Sequence, residues 1–422
     1  MIDTVTIAGA VMDPCWVLAQ VTVMHGRGGF GEAGQPASAT VTVEYPQGSM
    51  PPWQSGDSVT LDGPDGRLFA GRIVQRSLGH LEDSDGGMRG QFTMTAAGPL
   101  AALGVRKIGD VPWPQETGTQ RAAHILAASG VSAWYVDGDT DLVVLPRDVD
   151  AQPAAGLLDE LAVWTSGAVF DTPAGEVVYQ PLDGRSRPVV PFMWSDFDPA
   201  ATWDQFPAGT WNGDPPSIGQ WPSPKSTFPV PLPCDAVEWE PVWVSSESTV
   251  INHVRVGYGA LNPQDTVELE DAASITRHNR RYLYLGTQLA TVADANARAA
   301  QILTTQAAER WQIDEVTVHL DLLPADVRAD CLRLLCGDQV TLSGLPQPAP
   351  ATDWTGIVEG WTYTQYAEGD LFTARMSLQL SEPLLSLAVM QWADYPGTYL
   401  WSEHPAYLTW GDILDETVLE AA

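Results

Sequence analysis

The chain has 422 residues, of which 44% are hydrophobic and 18% charged, so it can bury a large core and exceeds the size that one core usually supports. Lys and Arg total 21 against 53 Asp and Glu, and the formal charge of −32 argues against a surface that binds nucleic acid. No apolar run reaches the roughly 20 residues of a membrane helix, and the N-terminal residues lack the features of a signal peptide. We therefore expect two or three domains in a protein made in a reducing cytoplasm, without a membrane anchor.

The first 105 residues have the pattern of a β domain. Short β-branched runs, often alternating, are separated by Gly, Pro and Asp turns. Six such runs in succession predict a small barrel or sandwich.

Residues 106–184 predict a compact α+β insert. "GTQRAAHILAASG" has the pattern of a helix capped by Thr117 or Thr119 and ended at Gly130, and "AAGLLDELAVWTSG" predicts a second helix. "AVFDT" and "EVVYQPL", joined by "PAGE", predict a hairpin that closes the insert.

The rest of the chain alternates between proline-rich and β segments. Residues 185–241 are crowded with Pro and Trp and predict an extended linking arm, because proline removes backbone donors and fixes φ. Residues 242–385 predict a second β domain with helices, the longest over about 291–311 with a start at Thr291 and Asp294. Residues 386–422 form another Trp- and Pro-rich arm.

One short passage occurs twice, almost three hundred residues apart. "GDSVTLDG" begins at Gly56 and "GDQVTLSG" at Gly337. The matching residues are Gly56, Asp57, Val59 and Leu61 in the first passage and Gly337, Asp338, Val340 and Leu342 in the second. Gly-Asp forms the turn before a strand, and the Val and Leu side chains at alternate positions face one core.

The order of other landmarks is also kept after each passage. Each is followed by a glycine that opens a strand, a strand that begins with Phe-Thr (Phe92, Phe372) and a Pro-Leu pair. Chance is the alternative explanation, because Gly-Asp-x-Val-Thr-Leu is a common way to enter a strand. We favour duplication. The predicted class is α+β, mainly β, with two related small β-barrel domains, an α+β insert and Trp/Pro-rich extended arms.

The two "GD-x-VTL" regions, the insert between them and the run "DAASITRHNRRYLYLGTQLATVADANARAAQIL" resemble the tail-tip or baseplate hub proteins of long-tailed bacteriophages. The resemblance covers about residues 1–385 and extends to the N-terminal part of tail-associated lysins and to minor tail proteins. It implies a homotrimer whose two barrels per subunit give six similar units. It also implies, as partners, distal tail or tail-tube proteins, the tape-measure protein and spike or fibre proteins.

Six tryptophans recur with a spacing of eight or nine residues in the two proline-rich arms. They are Trp194, Trp203, Trp211, Trp392, Trp401 and Trp410. Trp provides a large contact area at low entropy cost, so we favour packing between subunits or domains. A platform that binds host sugars is the alternative.

Other motifs point to turns and ion pairs. "GRGGFGEAG" lacks the ending of a phosphate loop, so we interpret it as a hairpin tip. Asp137, Asp139 and Asp141 alternate as in a calcium loop without its glycine, which favours a polar turn. The basic cluster Arg277–Arg281 predicts pairing with carboxylates.

No catalytic signature is found, and Cys15, Cys234, Cys331 and Cys336 match neither a zinc site nor a disulfide framework. We therefore predict no catalytic residue, cofactor or metal site. The leading hypothesis is a structural tail-tip hub in the virion. A Trp-rich adhesin for host glycans and a cell-wall carbohydrate hydrolase are the alternatives.

Overall fold

The computed structural model describes residues 2–13, 17–29, 32–45, 51–82, 88–109, 112–138, 142–182, 229–238, 243–260, 264–346, 349–368 and 371–381. Strands dominate these residues, which confirms a mainly β protein with helices. Within these ranges, every helix is too short or too polar to cross a membrane.

The strands up to the end of the insert are β1 Thr4–Ile7, β2 Ala10–Val11, β3 Val17–Gly26, β4 Ser38–Tyr45, β5 Ser58–Gly63, β6 Gly66–Glu82, β7 Met88–Ala97, β8 Lys107–Ile108, β9 Glu116–Thr117, β10 Trp134–Val136, β11 Val143–Val144, β12 Gln152–Pro153, β13 Ala168–Asp171 and β14 Val177–Gln180. The later strands are β15 Val230–Pro233, β16 Trp243–Val244, β17 His253–Tyr258, β18 Asp265–Glu270, β19 Tyr282–Gly286, β20 Gln312–Ile313, β21 Glu315–His319, β22 Gln339–Ser343, β23 Trp354–Glu368 and β24 Leu371–Ser381. The helices are α1 Leu100–Leu103, α2 Gly118–Ser129, α3 Ala154–Thr165, α4 Ala272–His278, α5 Val292–Gln306 and α6 Ala325–Leu332.

A single sheet of 12 strands contains both regions that the sequence repeat marks. Its order is β15-β22-β23-β3-β4-β7-β6-β5-β1-β2, with β24 beside β23 and β21 beside β24. We call β1–β7 the first half and β15 with β21–β24 the second half. The halves meet where β23 pairs with β3 in the antiparallel direction.

Alternation of apolar and polar residues explains why these segments form one sheet over one core. Buried and partly exposed residues alternate along β4 and β22. The buried side chains of both halves form one hydrophobic cluster that includes Val21, Leu61, Val340 and Leu378. The two halves therefore share a core.

The insert follows β7 and has its own core. β10, β14 and β13 form a three-stranded sheet, and α2 and α3 pack in the same apolar cluster as strands β13 and β14. Thr117 caps α2 by accepting a hydrogen bond from the Gln120 N–H at 3.2 Å, and Gly130 ends the helix in the left-handed conformation. The predicted helices and the β13–β14 hairpin are confirmed.

A second α+β unit lies within residues 243–313. β18, β17 and β19 form a three-stranded sheet against which α5 packs. Thr291 caps α5 as predicted, and the helix ends at Gln306 rather than near residue 311. Backbone hydrogen bonds from Leu145 N–H to Gln288 O (2.8 Å) and from Ala290 N–H to Val143 O (2.8 Å) join this unit to the insert.

The α+β, mainly β class is confirmed, whereas two closed barrels are not: the sheets of the described residues are open. Both halves instead contribute to one sheet. The five segments, with boundaries at 105, 184, 241 and 385, remain a prediction. Most of the linking arm and the whole C-terminal arm lie outside the described residues.

Candidate functional site at the junction of the two sheet halves

The two copies of the Gly-Asp turn have the same backbone conformation. Gly56 has φ +95° and Gly337 has φ +94°, a region that favours glycine. The Gly56 N–H donates to Ile73 O at 2.8 Å, and the Gly337 N–H donates to Val358 O at 2.7 Å. The glycines are therefore required by the turn, in both halves.

The aspartates of the motif close the turn by the same hydrogen bond. Asp57 Oδ2 accepts from the Gln54 N–H at 2.7 Å, and Asp338 Oδ2 accepts from the Leu335 N–H at 2.7 Å. Each carboxylate reaches back three residues, as turn-forming aspartates do. These hydrogen bonds confirm the prediction that Gly-Asp forms a turn before each strand.

The strands after the turns pair in the same register. Val59 lies opposite Gly71, and Val340 lies opposite Gly356. The motif side chains Val59, Leu61, Val340 and Leu342 are all fully buried. A Cβ atom at Gly71 would lie 2.5 Å from Phe69 Cζ, and one at Gly356 would lie 2.6 Å from Trp354 Cη2. Each glycine therefore makes room for an aromatic ring two residues earlier.

Both long strands also carry an irregularity at the same place. The register shifts between Ile73 and Gln75 in the first half and between Val358 and Gly360 in the second. Val74 and Glu359 are therefore equivalent residues. The Phe-Thr pairs, predicted as a shared landmark, are not equivalent. Phe92 lies four residues before Ala96, the partner of Ile73, whereas Phe372 lies eight residues before Leu380, the partner of Val358.

The junction itself is an antiparallel ladder between β3 and β23. Seven residue pairs, from Gly26–Gly360 to Gln20–Tyr366, join strands that are more than 330 positions apart in the chain. The backbones approach so closely that a Cβ atom on Gly26 would lie 2.3 Å from Glu359 O. Gly26 also has φ +86°, so both space and conformation require glycine there.

A buried ion pair lies at the end of this ladder. Arg27 Nε donates to Glu359 Oε2 at 2.8 Å, and the two side chains are 2% and 0% exposed. Arg27 also donates to Gly167 O of the insert at 3.2 Å, and the Ser381 hydroxyl contacts Glu359. One arginine therefore connects the first half, the second half and the insert.

His25 packs beside this pair. Its ring lies 4.5 Å from the Trp361 ring, and its two nitrogens contact Asp171 O at 3.1 Å and Leu68 O at 2.9 Å. Burial lowers the pKa of His25 to about 4, although both carbonyl contacts act in the opposite direction. The imidazole is therefore neutral at pH 7.

Asp171 fixes the insert to the first half. Its carboxylate accepts from the Ala37 N–H at 2.9 Å and from the Leu100 N–H at 2.8 Å. Burial raises the pKa of Asp171 to about 7, against the effect of these two donors. A single buried carboxyl thus holds the start of β4, the start of α1 and the end of β13 together.

A cleft of about 430 Å³ lies beside the junction, between α3, α5 and the loop after β3. Arg298 lines it and donates to Val163 O and to Gln301 Oε1, both at 3.0 Å. Burial lowers the pKa of Arg298 to about 10 and also raises the pKa of Asp159, which accepts from the Gly34 N–H. These charged groups link the insert to the second α+β unit and to the first half.

Two solved structures have a similar fold. A 43 kDa tail protein of prophage MuSo2 from Shewanella oneidensis matches with a TM-score of 0.58 and 11% identity, over 90% of this chain and 98% of that one. A tail protein from Neisseria meningitidis MC58 matches with a TM-score of 0.57 and 13% identity, over 90% and 96%. The chain has the fold of phage tail proteins. No protein-family model and no curated protein matches the sequence.

The eight motif residues occupy equivalent places in this tail-protein fold, as described above. The six predicted interface tryptophans, Trp194, Trp203, Trp211, Trp392, Trp401 and Trp410, lie outside the described residues. Their role in packing therefore remains a prediction.

Of the basic cluster, Arg280 pairs with Glu270 and Arg281 with Glu247, each at 3.0 Å, so pairing within the chain is confirmed for these two. Asp139 and Asp141 lie outside the described residues, and the described part of the chain contains no group of metal-ligating side chains.

Sequence reasoning missed the junction residues His25, Arg27, Asp171 and Glu359. The loop after β3 does connect two antiparallel strands, as its interpretation as a hairpin tip requires. Arg27 at its start is buried, however, and contacts the second half. The one available signal was the pair of glycines, Gly26 and Gly360, that flank the charged residues.

Proposed function

We propose that this chain is a structural tail-tip (baseplate) hub protein of a long-tailed phage of the siphophage type. In this proposal three copies form a ring with pseudo-sixfold symmetry that joins the tail tube to the spike or fibres. The observation that carries it is the recurrence of turns, register and strand irregularities between the two halves, which supports an internal duplication. The fold shared with phage tail proteins supports the same conclusion.

Duplication matters because it changes the symmetry that a trimer can present. Three copies of a chain with two similar β halves offer six similar surfaces around one axis. Such a ring can contact a sixfold tube on one side and a threefold spike on the other. The shared core and the buried Arg27–Glu359 pair hold the two halves of each copy in a fixed relation.

The charge of the chain suits a channel through which DNA passes. With 53 acidic and 21 basic residues, the protein repels a polyanion rather than binding it. In the proposed ring, the tape-measure protein and later the genome pass along the axis. Distal tail or tail-tube proteins and spike or fibre proteins are the neighbours, and the chain acts without catalysis.

The proposal is tested by the copy number and place of the protein in purified particles. We expect three copies at the tail axis, measured by quantitative mass spectrometry and by cryo-electron microscopy. A location away from the axis, or a copy number that is not three, contradicts the proposal. Peripheral copies that bind host wall polysaccharide and lose binding in Trp401→Ala would identify an adhesin instead.

A further inference from the structure

The repeat makes it possible to compare the edges of the two halves. In the second half, the β23 edge from Gly360 to Tyr366 pairs with β3. In the first half, the same edge of β6 begins at Gln75, and among the described residues β6 pairs beyond Arg72 only with β7, on its other side. Within the part of the chain that the structure describes, an edge that is covered in one half is therefore unpaired in the other.

The second half has the matching edge at its other end. In the first half β3 pairs with β4, which pairs with β7. In the second half Val237 pairs with Val318 of β21, and β16 pairs with β20, so Val237 and the two residues of β16 occupy places equivalent to residues of β3. No described strand pairs with the outer side of Val237 or β16.

We infer that these two open edges bind each other between copies of the chain. The edge of β6 in one copy pairs with the edge that carries Val237 and β16 in a second copy, and it repeats the β3–β23 junction. The inference rests on the proposed ring, for which it names the contact. An interface between two different surfaces is head-to-tail, and such contacts generate rings when the rotation closes.

Equivalent hydrogen bonds within the chain identify the residue of β6 that corresponds to Trp361 of β23. The Trp361 indole N–H donates to Leu334 O at 2.8 Å, and the Arg76 guanidinium donates to Trp53 O, so Arg76 takes the place of Trp361. The Arg76 side chain therefore contacts the Gly-Asp turn of its half as Trp361 does in the second half. Trp361 makes this contact while its strand edge pairs with β3, so the contact of Arg76 is compatible with pairing at the β6 edge.

Counting along the other strands identifies the residue that replaces His25. Ala39 lies opposite Ala96, and the Leu380 N–H donates to Asp314 O, which makes Ala39 and Asp314 equivalent. Ser38, the residue before Ala39, pairs with Met24, and Ile313, the residue before Asp314, pairs with Trp243. Met24 and Trp243 are therefore equivalent. Val244 therefore replaces His25. Because His25 lies opposite Trp361, Val244 of a second copy is expected opposite Arg76.

The side chains at the β6 edge suit an interface between copies. Val74, at the position of the buried Glu359, is 56% exposed, and Leu78 is 48% exposed. Pairing with a second copy would cover this apolar surface next to the strand edge.

The test is a disulfide cross-link in the full chain. We expect the double variant Arg76→Cys/Val244→Cys to form covalent dimers and trimers on oxidation, because opposite residues in a ladder have Cβ atoms about 4.5–5.5 Å apart. Separately made Arg76→Cys and Val244→Cys proteins should cross-link when mixed. The unmodified chain, with its native cysteines, and each single variant are the controls.

An off-register pair, Arg72→Cys/Val244→Cys, is the matched control, since residue 72 lies four positions along β6. Absence of covalent species in the 76/244 variant at every protein concentration overturns the inference. Equal cross-linking of Arg76→Cys alone, or of the 72/244 pair, overturns it as well. Copy number and position in particles are measured separately, so a trimer at the tail axis without this cross-link would leave the hub function standing.

Discussion

The two halves of the sheet differ in burial and in residue type at the strand irregularity that both of them contain. At the strand irregularity the second half has Glu359, fully buried and paired with Arg27, whereas the first half has Val74, 56% exposed. The Gly-Asp turns that contact the residues preceding them, Ile73 and Val358, have the same hydrogen bonds from Gly56 and Gly337. Positions that define the backbone of the turn therefore have the same residues in both halves, whereas these two positions at the irregularity differ in residue type and in burial.

The largest expected effect is at this pair of equivalent residues. Glu359→Ala leaves the Arg27 guanidinium buried without its carboxylate, and we expect the free energy of unfolding to fall by about 3–5 kcal/mol. Val74→Ala, the matched control, should change it by less than about 0.5 kcal/mol at protein concentrations at which the chain is monomeric. Urea denaturation of both variants checks this. Similar losses in the two would show that the edges are alike.

The next effect concerns two glycines with positive φ. Gly26→Ala combines the unfavourable φ of +86° with a Cβ atom 2.3 Å from Glu359 O, and should cost about 2–4 kcal/mol. Gly56→Ala has φ +95° but nothing within 4 Å of the added Cβ, so only the conformational cost of about 1–2 kcal/mol remains. Thermal or chemical unfolding measures the difference. A larger loss for Gly56→Ala would contradict the close approach at the junction.

Titration should affect the junction through two groups with opposite signs. The pKa of Asp171 rises from 3.8 to about 7, so its contribution to stability grows as pH falls from about 7 to about 4. The pKa of His25 falls from 6.5 to about 4, so its contribution is lost as pH falls through the same window. The two contributions partly cancel in the native chain.

A variant that lacks either Asp171 or His25 should show the pH dependence of stability that the remaining group contributes. Between pH 6.5 and 4, the free energy of unfolding of Asp171→Asn should fall on acidification, by on the order of 1–3 kcal/mol, whereas that of His25→Gln should rise. Denaturation at several pH values checks the signs, with the exposed His80→Gln as control. Parallel profiles for Asp171→Asn and the native chain would exclude Asp171 as the compensating group.

The smallest effect on folding should accompany a clear effect on association. Val74→Ala removes two buried methyl groups from the proposed contact between copies, at about 0.8 kcal/mol each, and should weaken self-association about tenfold per contact. Sedimentation equilibrium measures the change. Val163→Ala, at another exposed valine away from the β6 edge, is the matched control. Equal association of the two variants would contradict a role for the β6 edge.

Local features could be predicted from the sequence, and long-range pairing could not. Thr117, Gly130 and Thr291 mark helix ends through contacts within a few residues, and the Gly-Asp turns do the same for strands. The β3–β23 ladder joins residues more than 330 positions apart. Alternation along β3 specifies which face is buried but not which strand is its neighbour, so the union of the halves in one sheet was missed.

The charged residues of the junction were missed for a related reason. Arg27 stands in a glycine-rich loop, where composition favours exposure, and its partner Glu359 lies within a strand. Burial of each is tolerated because of the other, so neither position is recognisable by itself. The Phe-Thr landmarks failed because Phe92 and Phe372 lie at different positions along their strands, four and eight residues before the equivalent residues Ala96 and Leu380.

The distance along the chain between β3 and β23 also determines when the protein can finish folding. On the ribosome, the side of β3 that faces β23 has no partner until Tyr366 has left the exit tunnel. At about 5–20 residues per second, the wait lasts roughly 20–70 s, during which a bare strand edge is available to other nascent chains. Synthesis is therefore the stage at which this edge of β3 is exposed to pairing with other chains.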